Sequence, residues 1–354
     1  MHPWLTKEYY ISAHERYDCF PASLAALCGE AERLQTVPAE AEAFLDLAQQ
    51  LSTAQTKEEL PPLIAARNMT YGLAVAANVP AMMEGLLQDG FPAEVVRHTA
   101  LEIDTVMMER PETPGFGGHL VGWFLKFLRR LIVRIARFNF ERRDRFLGRI
   151  KVYENAAGEL LTFSHDLGIT ATGDGALNGE GEVFHPMVTE AEGKITGYPV
   201  VGGKTQRTPV AVPASEWKLR LAYGDPALAM HIPDNEPFTP EIMAASYEKG
   251  IALLRNCWSD LHPRAVTCKS WLLDPQLREL LRPGSNILAF QAPYTVFPTR
   301  SSNCTSALEC VFGEVPENLQ DAPEDTSLRR NLKAFYLSGK KIWFTHGYWL
   351  YPGL

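Results

Sequence analysis

Hydrophobic spacing changes character near residue 146, and this constrains the fold more than any other feature of the chain. Before that point Ala, Leu, Glu and Gln dominate segments such as 39–51, and apolar residues recur every three or four positions, the helical period. The stretch from Pro92 to Arg110 is the clearest case. Pro92 suits a first helical turn, Val95, Val96, Ala100, Ile103, Val106 and Met107 make one apolar face, and Pro111 stops it. After residue 146 apolar residues come in short β-branched and aromatic runs parted by turn residues, beginning with FLGRIKVYE and LLTF. The expected fold class is α+β, with a helical domain over 1–145 and a mixed β-sheet domain with flanking helices over 146–354.

Within the second part, residues 166–216 are rich in Gly, Thr and Pro and predict a meander or a surface excursion. LAMHIP then predicts a strand, 240–258 a helix, AVTCKSWLL a strand and 275–281 a short helix, followed by NILAFQAPYTVF and ALECVFG as strands. Asp325 or Thr326 caps a helix over 327–337 that Gly339 ends. Trp343, Phe344, Tyr348, Trp349 and Tyr351 predict a terminal strand docked on the sheet, or the lining of a pocket. The glycine-rich run GDGALNGEGE carries Asp174, Glu180 and Glu182, which suits hairpin turns better than a phosphate cradle.

Composition excludes several classes. With 46% hydrophobic and 21% charged residues over 354 positions, the chain has the balance of a folded protein of about two domains. Its 42 acidic residues outnumber 34 basic ones, a net charge of −8 that opposes general nucleic-acid binding. Cys19, Cys28, Cys257, Cys268, Cys304 and Cys310 are too sparse for a disulfide framework, so free thiols in a reducing compartment are expected. The spread of Cys257, His262 and Cys268 matches no zinc signature, and no metal is expected. The first residues, MHPWLTKEYYISAHER, lack the basic segment and apolar core of a signal peptide, which predicts a cytoplasmic protein.

One stretch departs from this acidic balance. Residues 126–149 hold nine cations against Glu141 and Asp144, a net +7 that leaves −15 for the rest. Trp123, Phe124, Phe127, Leu128, Leu131, Ile132, Ile135 and Phe138 are interleaved with them, enough for one helix apolar on a wide arc. Three roles are open to such a helix: a hinge whose arginines pair with the acidic remainder, a groove for ligand phosphates, or an interfacial membrane helix. Cations every few positions exclude a bilayer span, and membrane association is not expected.

FLGRI at 146–150 with Glu154, HIP at 231–233, Ser246, CKSWLLDPQL at 268–277, SNI at 285–287, VFG at 311–313 and DTSLRR at 325–330 resemble a bacterial family of acyltransferase-domain-containing proteins. GFGG and Trp123 extend the resemblance into the first half. Members pair a helical N-terminal domain with a GNAT-like C-terminal domain. The resemblance implies transfer of an acyl group from acyl-coenzyme A to an acceptor that no motif names, with a small-molecule donor and no nucleic-acid partner. One departure supports a second reading, a non-catalytic binding or interaction protein of the same fold. Where a GNAT enzyme carries a glycine-rich pyrophosphate loop, this chain reads HIPDNEPFTPE, without glycine and with Asp234, Glu236 and Glu241.

Candidate site residues follow from these readings. His231 closes a predicted strand, where an imidazole serves as a base or caps the turn. Cys268 and Ser270 share one face of the next strand and Lys269 with Trp271 the other, so Cys268 is a nucleophile activated by His231 or a packing residue. Under the acyltransferase reading, Glu154 is an alternative base, while Arg130, Arg134 and Arg149, with Ser270, are expected to hold coenzyme A or acyl-CoA.

Overall fold

The helical period of the first part is realised in helices α1 (Lys7–Tyr17), α2 (Leu24–Leu34), α3 (Pro38–Thr53), α4 (Asn68–Ala76), α5 (Val79–Gln88), α6 (Ala93–Met107) and α7 (Val121–Leu128) of the computed structural model, which describes residues 2–60, 68–233, 237–299, 303–352 and 354. Pro92 stands immediately ahead of α6, whose buried stripe is Val95, Val96, Thr99, Ala100, Ile103, Asp104 and Met107. Buried Asp104 accepts the backbone N–H groups of Ala22 and Ser23, at 3.1 and 2.9 Å, and the Ser23 hydroxyl at 2.5 Å, which fastens the start of α2. The turn after α6 presses against α4. Gly115 has φ +100°, and a Cβ there would lie 2.3 Å from the Asn68 carbonyl carbon, so only glycine fits.

The basic stretch is not one helix. α7 stops at Leu128, Arg130 takes a left-handed conformation (φ 57°), and a hairpin follows: β1 (Ile132–Ile135) and β2 (Phe138–Arg143), with Ile135 opposite Phe138. All of β1 is buried, so its sequence shows no alternation. That is why an apolar run that continues the helix in sequence folds as a strand.

Residues 1–141 form one unit together with 246–259, and residues 142–245 with 260–354 form the other. The later segment belongs to helix α8 (Pro240–Cys257) and the turn after it. In the first unit Tyr247 packs against Phe138 and Phe140, with ring centroids 4.9 and 6.4 Å away, and Trp258 meets Phe91 edge-on at 5.8 Å.

The second unit opens with β3 (Ile150–Asn155), β4 (Leu160–Ser164), β5 (Ile169–Thr170), β6 (Glu182–Phe184), β7 (Thr189–Ala191), β8 (Lys194–Val201), β9 (Lys204–Thr205), β10 (Val210–Pro213) and β11 (Trp217–Ala222). An antiparallel sheet runs β10-β8-β4-β3-β11, with β7 and β9 also on β8, and β5 with β6 makes a separate ribbon. The chain continues through β12 (Ala227–His231), β13 (Val266–Ser270), α9 (Leu277–Leu280), α10 (Asn286–Gln291), β14 (Thr295–Phe297), α11 (Ser306–Phe312), α12 (Ser327–Leu337) and β15 (Thr345–Trp349). Strands β12, β13, β15 and β14 lie side by side in that order, the first pair parallel and the others antiparallel. Phe146, Ile150, Val152, Leu221, Ala227, Ala265, Phe297 and Tyr348 form a core that joins the two sheets.

The strand expected over NILAFQAPYTVF is helix α10 followed by β14, and the one expected over ALECVFG is helix α11. Ser285 caps α10 by accepting the Leu288 N–H at 3.3 Å, and Gly313, at φ 88°, ends α11. Short apolar runs fit either state, and caps decide between them. The helix over 327–337 is capped by Thr326, whose hydroxyl accepts the Arg329 N–H at 3.2 Å.

Candidate functional site

The parallel pair β12–β13 is in register at Leu228 with Val266, Ala229 with Thr267 and Met230 with Cys268, and the ladder then stops. On the other side β13 stays paired with β15, so that Lys269 faces His346, and β14 places Phe297 opposite His346. Side chains alternate across a strand. His231, Lys269, His346 and Phe297 therefore form a row on one face at the carboxyl end of the parallel pair, where open α/β sheets bind ligands. The Phe297 ring meets His346 nearly perpendicularly at 5.9 Å, and the Lys269 ammonium lies 5.4 Å from the Phe344 ring centroid.

Burial drives the His346 pKa down to about 3, and the positive charges of Lys269 and Arg143 lower it further. Lys269 is itself lowered, first by burial and then by Arg143. The uncharged His346 imidazole thus stands beside the Lys269 cation and within the field of Arg143, a setting that favours an incoming or developing negative charge.

Phe297 also lines a cleft of about 410 Å³ together with Trp343, Thr345, Asp174, Lys204, Asp274 and Gln276. Buried Asp274 accepts the backbone N–H groups of Trp343 at 2.6 Å and Gln276 at 2.9 Å. Its carboxyl is raised above the usual range by burial, against the pull of those bonds.

His231 is half-buried at the end of β12. Cys268 shares its face with Met230 rather than with the row, and full burial pushes its thiol far above the usual range, which holds it protonated. Ser270 is occupied in capping the turn after β13, its hydroxyl accepting the Leu272 N–H at 3.1 Å. Glu154 lies on β3 in the other sheet, bonded to Arg220 of β11. Arg149 pairs with Asp166 at 2.9 Å and stacks on Tyr223 at 4.0 Å.

Arg129, Arg130, Arg134 and Arg142 of the basic stretch are partnered within their own units. Arg130 bonds Asp89 at 2.7 Å, Arg134 bonds Glu102 at 2.8 Å, and Arg142 grips Asp260 with two bonds of 2.8 and 2.6 Å. Arg129 donates to the carbonyls of Leu51 and Ser52, which α3 leaves open at its end.

In the segment expected to replace a pyrophosphate loop, Asp234 and Glu236 lie outside the described residues. Glu241 is in the first turn of α8, where hydrogen bonds with its own N–H and with Thr239 hold its carboxyl below the usual range. Sequence reasoning missed His346. The signal was present in FTHGYW, where one polar ring interrupts an aromatic strand. Its pairing with Lys269, 77 positions earlier, is set by topology.

The description GNAT-like C-terminal domain matches residues 132–349. The chain belongs to that family. In the GNAT-like domain so defined, the β1–β2 hairpin is the first element and β15 the last. No curated protein matches the chain. Among solved structures, an acyltransferase in complex with CoA and 10C-teicoplanin superposes with a TM-score of 0.63 at 18% identity, covering 98% of this chain and 88% of that one. An acyltransferase in complex with decanoyl-CoA and teicoplanin gives 0.62 at 18% identity, covering 97% and 88%. An acyltransferase mutant in complex with octanoyl-CoA gives 0.62 at 18% identity, covering 96% and 88%. This likeness is one of fold, and it extends over the helical part as well as the GNAT-like domain. Among the described residues, no helix is long and apolar enough to cross a membrane.

Proposed function

We propose that the chain is an acyltransferase that takes its group from an acyl-coenzyme A at the open end of the β12–β13 pair. The observation that carries this reading is the row of His231, Lys269 and His346 beside Arg143, an uncharged imidazole among cations where two parallel strands part. Acyl transfer places negative charge first on the thioester oxygen and then on the departing sulfur. Lys269 and Arg143 supply the opposing charge, in surroundings partly withdrawn from water. His231 takes the proton of the attacking group as that group bonds to the acyl carbon and the carbon–sulfur bond breaks. His346, neutral at physiological pH, offers a hydrogen bond without adding charge. Membership of the GNAT-like family and the fold shared with acyltransferases solved with CoA derivatives support the choice of donor.

One observation favours the non-catalytic reading: the helix that follows β12 carries its own carboxylate, Glu241, in the turn where a pyrophosphate would bind. A thermal-shift titration decides between the two. Decanoyl-CoA at 100-fold over its dissociation constant stabilises a protein by about 2.7 kcal/mol, a readily measured rise in melting temperature. The acyltransferase reading expects that rise, and expects Lys269→Met to reduce it. No shift with either CoA or decanoyl-CoA at millimolar concentration would overturn the donor assignment and leave a binding protein.

A further inference from the structure

Beside the row lies the cleft of about 410 Å³, within the size range of small-molecule sites. The two share Phe297, whose ring touches His346 on one side and lines the cleft on the other. Their charges differ in sign. The row carries Lys269 within the field of Arg143, whereas among the described residues the cleft carries Asp174 and Asp274 against Lys204. Lys204 is bonded to Asp174 at 2.9 Å, which leaves the cleft one negative charge in excess. Asp274 is fixed by the N–H groups of Trp343 and Gln276 and by the Gln276 side-chain amide, at 3.3 and 3.2 Å from its two oxygens, so it acts on the cleft through its charge, whereas Asp174 offers an accepting oxygen at the cleft's edge. The Trp343 side chain, 38% exposed, presents an indole surface in the wall.

We infer that this cleft is the acceptor's binding site, and that the acceptor is an uncharged or cationic molecule that lays a ring against Trp343 and offers a hydrogen-bond donor to Asp174. The assignment rests on the acyltransferase reading for the role of the ligand, and on the cleft itself for its chemistry. The division of charge sorts the two substrates, an anionic donor toward the row and a non-anionic acceptor toward the cleft. A carboxylate-bearing acceptor meets repulsion from the cleft's excess negative charge.

The test uses the full chain and two phenols of similar size and opposite charge, tyramine and 3-(4-hydroxyphenyl)propionate, titrated by ligand-observed NMR. Tyramine should bind with a millimolar or tighter dissociation constant, and the propionate about tenfold more weakly. Trp343→Ala should weaken tyramine about fivefold while the chain still melts cooperatively. Asp174→Asn, a change at an exposed site, should narrow the gap between the two ligands. Equal binding of the two phenols, indifference to Trp343→Ala, or no binding of tyramine at millimolar concentration would each overturn the assignment. The unmodified chain's response to decanoyl-CoA separates the two proposals. A shift without tyramine binding removes the cleft alone, and tyramine binding without a shift removes the donor alone.

Discussion

Replacing Arg134 with alanine separates structural pairing from donor binding. Its side chain is 4% exposed and bonds Glu102 at 2.8 Å and the Ala136 carbonyl at 2.7 Å. Removing one member of a buried pair costs about 3–5 kcal/mol, because the partner's charge is left uncompensated. Glu102 is 20% exposed and keeps a bond from the Asn139 amide at 3.0 Å, which lowers the expected cost of Arg134→Ala to about 2–3 kcal/mol. For a unit of this size each kcal/mol moves the melting temperature by about 2–4 °C, so a fall of roughly 5–10 °C is expected by calorimetry. A double-mutant cycle with Glu102→Gln should show strong coupling between the two positions. Decanoyl-CoA should raise the melting temperature of the variant by as much as that of the unmodified chain. An unchanged melting temperature with loss of the decanoyl-CoA response would refute the argument and return Arg134 to the donor site.

Three further outcomes are expected. His346 titrates near 3 when folded and near 6.5 when unfolded, so between those values only the unfolded chain binds the proton, and stability falls as pH drops from about 6.5. His346→Gln should flatten that acid limb of the stability curve by an amount on the order of a few kcal/mol. His185 is held by Asp166 at 3.2 Å and Glu182 at 3.1 Å, which raise its pKa. This contribution is complete below the unfolded value near 6.5 and is lost as pH rises through the folded one. His185→Gln should therefore lower the melting temperature at pH 5.5 but not at pH 9, by less than about 1 kcal/mol for so exposed a group. Cys268 should resist iodoacetamide in the native chain while exposed Cys310 reacts, and mass spectrometry of the labelled peptides checks this; rapid labelling of Cys268 would contradict its burial.

The sequence showed most of what depends on local chemistry. The stripe of α6, the Thr326 cap and the strand that ends at His231 each follow from spacing and side-chain type within one turn or strand. The errors share a cause. β1 is buried throughout, and NILAFQ and ALECVF are too short for periodicity to separate helix from strand, so packing and caps settled them. The candidate site was legible in part. His231 and the opposed faces of Cys268 and Lys269 follow from strand alternation, whereas the meeting of Lys269 with His346 depends on a pairing between distant segments. The arginines stood out as a charge run, but the acids that hold Arg130, Arg134, Arg142 and Arg149 most closely, Asp89, Glu102, Asp260 and Asp166, lie elsewhere in the chain.

Helix α8 gives its first turns to one unit and residues 246–257 to the other. A ribosome must therefore have released the chain through Ser259 before the earlier unit can close over Phe91, Phe138 and Phe140. The emerging 1–141 segment waits with those rings uncovered while more than a hundred further residues are made, the period in which it most needs a chaperone. Expression of 1–145 alone would reproduce that waiting state.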